Sequence, residues 1–314
     1  MRVPADAPRA YERIEPAVAL RRPGARLGFV VDILGIFVPV VALLALVGRG
    51  VPLWMAIVAT LVLSGLGTLI PEAIWPYQRV PRRSPNEWVD DLVQLAVYDL
   101  GLGFFGAGVL ATAAGALVGS ALGVRWWPHG WPAGVQILLA VVVLDFFAYW
   151  RHRLQHETGD SIWWRIHSVH HSIDFLDGLR GARGHPLENI VVHGPGAFVV
   201  GMLGGPLWVS CAAIACITPI LAPQHVNTDL RRGAVNYVLV GPEAHRWHHH
   251  QNSAQAKNYA NVFAVWDLLF GTFNLPRPFD GRVGLEHLPD FPRSRTRQAL
   301  LVFPAVWRRL RDAP

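Results

Sequence analysis

The chain has 314 residues, long enough for a sizeable core, yet 52% of it is hydrophobic, only 16% is charged and its mean hydropathy is +0.29, values of a membrane protein more than of a soluble domain. The formal net charge of +6 comes from basic residues flanking apolar runs, which favours an anionic membrane surface over nucleic acid as partner. Cys211 and Cys216 lie inside an apolar run without C-x-x-C spacing, which speaks against a disulfide scaffold or a thiolate metal site.

Residues 1–26 are polar and rich in Arg and Pro, and are expected to be disordered. No small-residue cleavage site follows the first apolar run, so it reads as a signal anchor. Apolar runs fall at about 28–47, 52–71, 92–123, 133–150, 189–204 and 206–222. Crossing the hydrocarbon takes about 20 helical residues. The first four runs are therefore expected to span, giving about four membrane helices within 27–150, with Asp99 a blemish in the third. The last two are shorter and separated by Gly204, Gly205 and Pro206; they read as a hairpin at about 189–222 that spans or only dips.

Threading the spans from a cytoplasmic N-terminus leaves Arg49 and Arg125 as the only basic residues outside and the other 26 of the 28 Lys and Arg inside. Trp126, Trp127 and Trp131 then sit at an outer turn, as interfacial aromatics do. The scarcity of lysine beside abundant Ala, Gly and Arg suggests a GC-rich genome, hence a bacterial cytoplasmic membrane. G-L-G-F-F-G at 101–106 fits a dinucleotide fingerprint, but no strand precedes it and no acidic residue follows at the required distance, so no nicotinamide site is expected.

Histidines dominate the chain beyond residue 150. His152 and His156 are spaced i, i+4; His167, His170 and His171 repeat the spacing i, i+3, i+4, as do His245, His248 and His249. On helices each set shares one face, and this threading puts all eight on the cytoplasmic side. Eight imidazoles exceed the four ligands of a structural zinc site, so two metal ions side by side are expected. The alternative, a solvated basic helix face, does not explain three such spacings in one chain. Asp145, Tyr149, His152 and His156 lie along one helix face; Asp145 is expected either to accept from a ligand imidazole or to pair with another buried polar group. His250 points away from its neighbours' face, while His129, His193 and His287 have no constellation. Residues 276–314 form a tail mixing Arg with Leu, Val, Phe and Trp, read as an interfacial helix that Pro304 should break; an ordinary surface helix on the cytoplasmic domain is the alternative.

A thiolate-free imidazole cage leaves several metals open. Zinc would activate water for hydrolysis and iron would support oxygen chemistry. The cage hangs beneath membrane helices, within reach of a lipid, and no carboxylate base stands in the boxes, although Glu157 and Glu243 lie nearby. That setting favours iron and O2.

The boxes H-x3-H, H-x2-H-H and H-x2-H-H, with R-G-H-P-L-E around His185, Q-H-V-N around His225 and W-D-L-L-F-G-T from Trp266, resemble the fatty acid hydroxylase/sterol desaturase superfamily over roughly 140–275. The resemblance implies an all-α, polytopic membrane bundle with a cytoplasmic helical cap, its catalytic region spanning 151–275. It also implies two non-haem iron ions, O2 as co-substrate, and hydroxylation, desaturation or methyl oxidation of a lipid. By motif, His152, His156, His167, His170, His171, His245, His248 and His249 are ligands, and His225 matches a further ligand position. Some members carry another histidine four residues later; here Asp229 stands there, and it either ligates as a carboxylate or leaves that place to water or substrate. His185 is expected to act structurally or behind the ligands, with direct ligation as the alternative, and Trp266 and Asp267 in packing and capping. With no haem, Cys-cluster or nucleotide motif, electrons are expected from a separate ferredoxin or cytochrome with its reductase.

Overall fold

A computed structural model of the chain describes residues 23–78, 80, 84–96, 101, 106, 108–276, 279, 282–285, 288, 291–292 and 294–312. Most of the N-terminal segment, His287 and parts of the third apolar run, Asp99 among them, lie outside these residues. The described structure is helical, with isolated β-bridges in place of strands.

Four helices are long and apolar enough to cross a membrane: Ala25–Gly48 (α1), Leu53–Ile74 (α2), Ala133–Glu157 (α5) and Leu207–His225, whose α-helical part is Leu207–Leu221 (α8). α1, α2 and α5 coincide with three of the four runs expected to span, while the remaining one, 92–123, lies partly outside the described residues. The second arm of the expected hairpin is a full-length candidate, because a 3-10 turn at Ala222–His225 extends it. The third run begins as a short helix, Pro85–Val93 (α3), opened by a capping box between Ser84 and Glu87, and its far end is Ala111–Ala121 (α4).

α1 and α2 form an antiparallel hairpin through a turn in which Gly50 adopts φ +76°. α8 occupies the centre, with Val209, Ala212, Ala213 and Ala215 fully buried against α1, α2 and α5. Thr60, Ser64 and Thr68 run down α2, each hydroxyl donating to the carbonyl four residues back, so no polar group is left bare along this face. Glu188–Met202 (α7) crosses α4 at backbone contact: a Cβ on Gly119 would lie 2.1 Å from the Met202 carbonyl oxygen, and one on Gly115 1.9 Å from that of Phe198.

The remaining elements form a cap at one end. Ile162–His171 (α6) starts at Ser161, whose hydroxyl accepts from the Trp164 amide, and Pro242–His248 (α9) carries its proline at the first helical position. Val265–Leu269 (α10) follows, and the tail contributes Arg295–Ala299 (α11) and Pro304–Arg311 (α12). The tail is interrupted at Pro304 as expected: α11 ends at Ala299, and Pro304 opens a new helix, where its missing N–H costs nothing. The apolar side of α12 packs on the cap, where Trp307 is buried with Val169, Leu288 and Leu301.

Candidate metal centre

Four elements bring the histidines together. α5 runs on past the bundle and carries His152 and His156; α6 carries His167, His170 and His171; α9 and its C-terminal residue carry His245, His248 and His249. His225 comes from the turn that ends α8. The nine rings divide into two groups, each with its nitrogens within 4.8 Å of one another: His152, His156, His167, His171 and His248, and His170, His225, His245 and His249. The division follows from helix pitch. Residues i and i+4 differ by about 40° around the axis, while i+3 falls about 60° to the other side. So His167 and His171 face one group and His170 the other; His245 and His249 face the second and His248 the first.

Within the groups, Nε2 atoms stand 2.9–3.2 Å apart: His152 to His167, His171 to His167 and His248, and His225 to His170, His245 and His249. These contacts are not hydrogen bonds where the other ring nitrogen is already committed. His152 Nδ1 donates to the Tyr259 carbonyl (2.8 Å), His248 Nδ1 to that of Lys257 (2.9 Å), His170 Nδ1 to that of Arg183 (2.9 Å), and His167 Nδ1 to Glu188 Oε1 (3.0 Å). A carbonyl or carboxylate oxygen only accepts, so each of these rings carries its proton on Nδ1 and presents a bare lone pair on Nε2. His152 and His167 thus face each other lone pair to lone pair at 2.9 Å, a repulsive contact unless a cation lies between them. His156 Nε2 is buried without a protein partner. Ligands about 2.1 Å from one ion at right angles are about 3.0 Å apart, against about 3.4 Å in a tetrahedron, so the spacing suits ions of more than four ligands. The donor set fits two such ions.

The surroundings keep the imidazoles neutral. Burial, the largest cause, holds His167, His171, His245 and His249 well below the usual histidine range; His170 is lowered too, and His248 is brought to about 3. Neutral imidazole is the form that binds metal.

Sequence patterning did not single out Glu188. Besides His167, its carboxylate receives Arg151 Nη1 (3.1 Å) and Gln155 Nε2 (3.1 Å) and is buried with them. It ends the segment R-G-H-P-L-E, so the motif carried a signal for it. The acceptor carbonyls of Arg183, Lys257 and Tyr259 left none, because any residue supplies a carbonyl. His185 is in neither group: its Nδ1 accepts from the Leu187 amide and its Nε2 donates to the Ala299 carbonyl of the tail. Asp229 is also outside both and forms a two-pronged ion pair with Arg231. Asp145 does not hold a ligand ring. It accepts from the amides of Val262 and Phe263 (both 2.8 Å) and from Trp266 Nε1 (2.9 Å), because the residues before α10 and its first turn converge on it. Asp267 accepts from the amides of Tyr259 and Ala260 and from the Thr272 hydroxyl, which fixes the segment offering the Tyr259 carbonyl to His152. His250 stacks on Trp247, away from both groups, and His193 lies in α7 outside them.

The fatty acid hydroxylase family model matches residues 137–272. The chain is 30% identical over 224 residues to an ornithine lipid hydroxylase from Rhizobium tropici, covering 68% of this chain and 66% of that protein. It is 29% identical over 185 residues to an alkylglycerol monooxygenase from Danio rerio (57% and 39%) and 28% identical over 145 residues to methylsterol monooxygenase 2-2 from Arabidopsis thaliana (44% and 52%). The chain thus spans just under two thirds of the first relative and about half or less of the other two. No solved structure matches it. With its boxes in order and its nitrogens gathered at one centre, the chain belongs to the fatty acid hydroxylase/sterol desaturase superfamily.

Proposed function

We propose that this protein is an O2-dependent membrane lipid hydroxylase, with two non-haem iron ions held by His152, His156, His167, His171 and His248 on one side and His170, His225, His245 and His249 on the other. The observation that supports it most is the division of nine neutral, lone-pair-bearing imidazoles into two adjacent groups. A bound iron pair would supply the oxidant for hydroxylation of an unactivated C–H bond, a task for which zinc has no redox state to offer. The chain's own residues orient the rings: Glu188 and the carbonyls of Arg183, Lys257 and Tyr259 keep the Nδ1 protons pointed outward, so that Nε2 stays free toward the centre. Electrons come from a separate donor protein, and the site faces the cytoplasm, where the basic residues concentrate.

The chemistry of the relatives, an ornithine lipid hydroxylase and two monooxygenases, agrees with a lipid substrate. Desaturation or methyl oxidation at the same centre is the second reading, since substrate placement within about an ångström decides the outcome. The test compares wild type with His170→Ala in a host lacking the gene, fed candidate lipids under 18O2. A wild-type product carrying heavy oxygen, absent from the variant, is expected. A loss of two hydrogens would replace hydroxylase by desaturase, and turnover without O2 on zinc alone would overturn the oxidase.

A further inference from the structure

We infer that the two stretches flanking the final histidine box, Tyr237–Val240 and Val262–Phe270, dip into the acyl-chain region of the membrane leaflet on the histidine side, while the turn between them stays in water. This goes beyond the proposed reaction and does not depend on it, since it rests only on the helical bundle and on which side chains lie bare.

Two helices serve as rulers. α5 begins at Ala133, just past the exposed Trp126 and Trp131, and a helix rises about 1.5 Å per residue. A hydrocarbon layer of about 30 Å ends about 20 residues later, near Arg153. Asp145 lies 12 residues along, about 12 Å short of that boundary. Yet Asp145 is where the amides of Val262 and Phe263 and the indole of Trp266 are tied. α1 gives the same level independently. Asp32, seven residues into that helix or about 10 Å from its end, forms a fully buried ion pair with Arg232, whose Nη1 donates to the Val240 carbonyl. Val240 in turn pairs with Val262. The bridged pair of segments around Leu239 and Phe263 is therefore below the membrane surface by both measures.

The outward side of this pair is apolar. Tyr237, Val238, Val265, Leu268 and Leu269 are 40–67% exposed, the range shown by Leu34, Val41 and Val62 on α1 and α2. Arg153, at the expected boundary, reaches the Phe270 carbonyl and pairs with Glu157, as an arginine does when its head group seeks the interface. Exposed apolar surface of this extent in water marks an interaction site, and its level, continuous with the lipid-facing side of α5, makes the occupant lipid tails.

The test places a single cysteine at Leu269, and separately at Val265, in the full chain with Cys211 and Cys216 replaced by Ala. The protein is reconstituted in phosphatidylcholine vesicles and labelled with an environment-sensitive dye; unchanged metal content confirms folding. Ser253, on an exposed polar turn, provides the aqueous control. The inference expects quenching by acyl-chain nitroxide lipids severalfold stronger than at Ser253, with little quenching by iodide. Iodide quenching equal to that at Ser253 would overturn it in favour of a water-facing surface. Protection from both quenchers would overturn it in favour of a protein partner, such as a second copy of the chain.

Discussion

At the scale of residues, the centre depends on where protons sit. The Glu188 carboxylate holds the His167 ring and also neutralises buried Arg151. Glu188→Gln is expected to weaken metal binding about 10–100-fold, read by competition with a chelator, while the spans stay inserted. His250→Ala is expected to leave metal content unchanged, because that ring stacks on Trp247 outside both groups. Acid should act on the metal-free protein through the same imidazoles. His248 is brought to about 3 from an ordinary 6.5, so below pH 6.5 the unfolded chain takes up protons that the folded chain refuses. The stability these rings contribute is complete above about 6.5 and lost as pH falls toward the folded value. Chelator-treated protein should therefore melt at a lower temperature at pH 5 than at pH 8.

At the scale of elements, close approach sets the second histidine group. A Cβ on Gly181 would lie 2.4 Å from His225 Cβ and 2.8 Å from its Nδ1. Neither atom is the free end of a flexible chain, so Gly181→Ala must displace the ring. Metal analysis of this variant is expected to give about one ion per chain, against the two proposed for the wild type. Asp145 offers an element-level contrast, since it accepts three hydrogen bonds from the residues before α10 and its first turn. Asp145→Asn leaves an amide NH2 facing a donor, at a cost of about 1–3 kcal/mol, seen as a lower melting temperature in detergent with full metal content just after purification.

At the scale of the molecule, the bundle must hold four histidine-bearing elements at one end: α5, α6, α9 and the turn that ends α8. α7 is central to this, because it packs on α4 and α5 and begins at Glu188. Its crossing with α4 has no room for side chains, with a Gly119 Cβ only 2.1 Å from the Met202 oxygen. Gly119→Ala should separate the helices and destabilise the protein by about 1–3 kcal/mol. The shift would be measured by thermal unfolding in detergent, and reduced metal retention should accompany it.

Legibility in the sequence varies with the range of the interaction. The clustered histidines could be read because their spacing is local: helix pitch alone puts His167 and His171, or His245 and His249, on a common face. Spans were legible where one unbroken apolar run met the thickness of the hydrocarbon, as in α1, α2 and α5. Hydropathy could not show that a 3-10 turn carries α8 on to His225. Nor could it tell whether Asp145 serves a ring or a turn, because the three donors that claim it stand 117 to 121 residues away. Local periodicity thus determined which histidines share a helix face, and unbroken apolar length which three helices, α1, α2 and α5, are candidate spans. Tertiary packing decided how the histidine faces of different helices combine into two groups and which carboxylate holds His167, since both depend on contacts between distant segments that one-dimensional spacing does not encode.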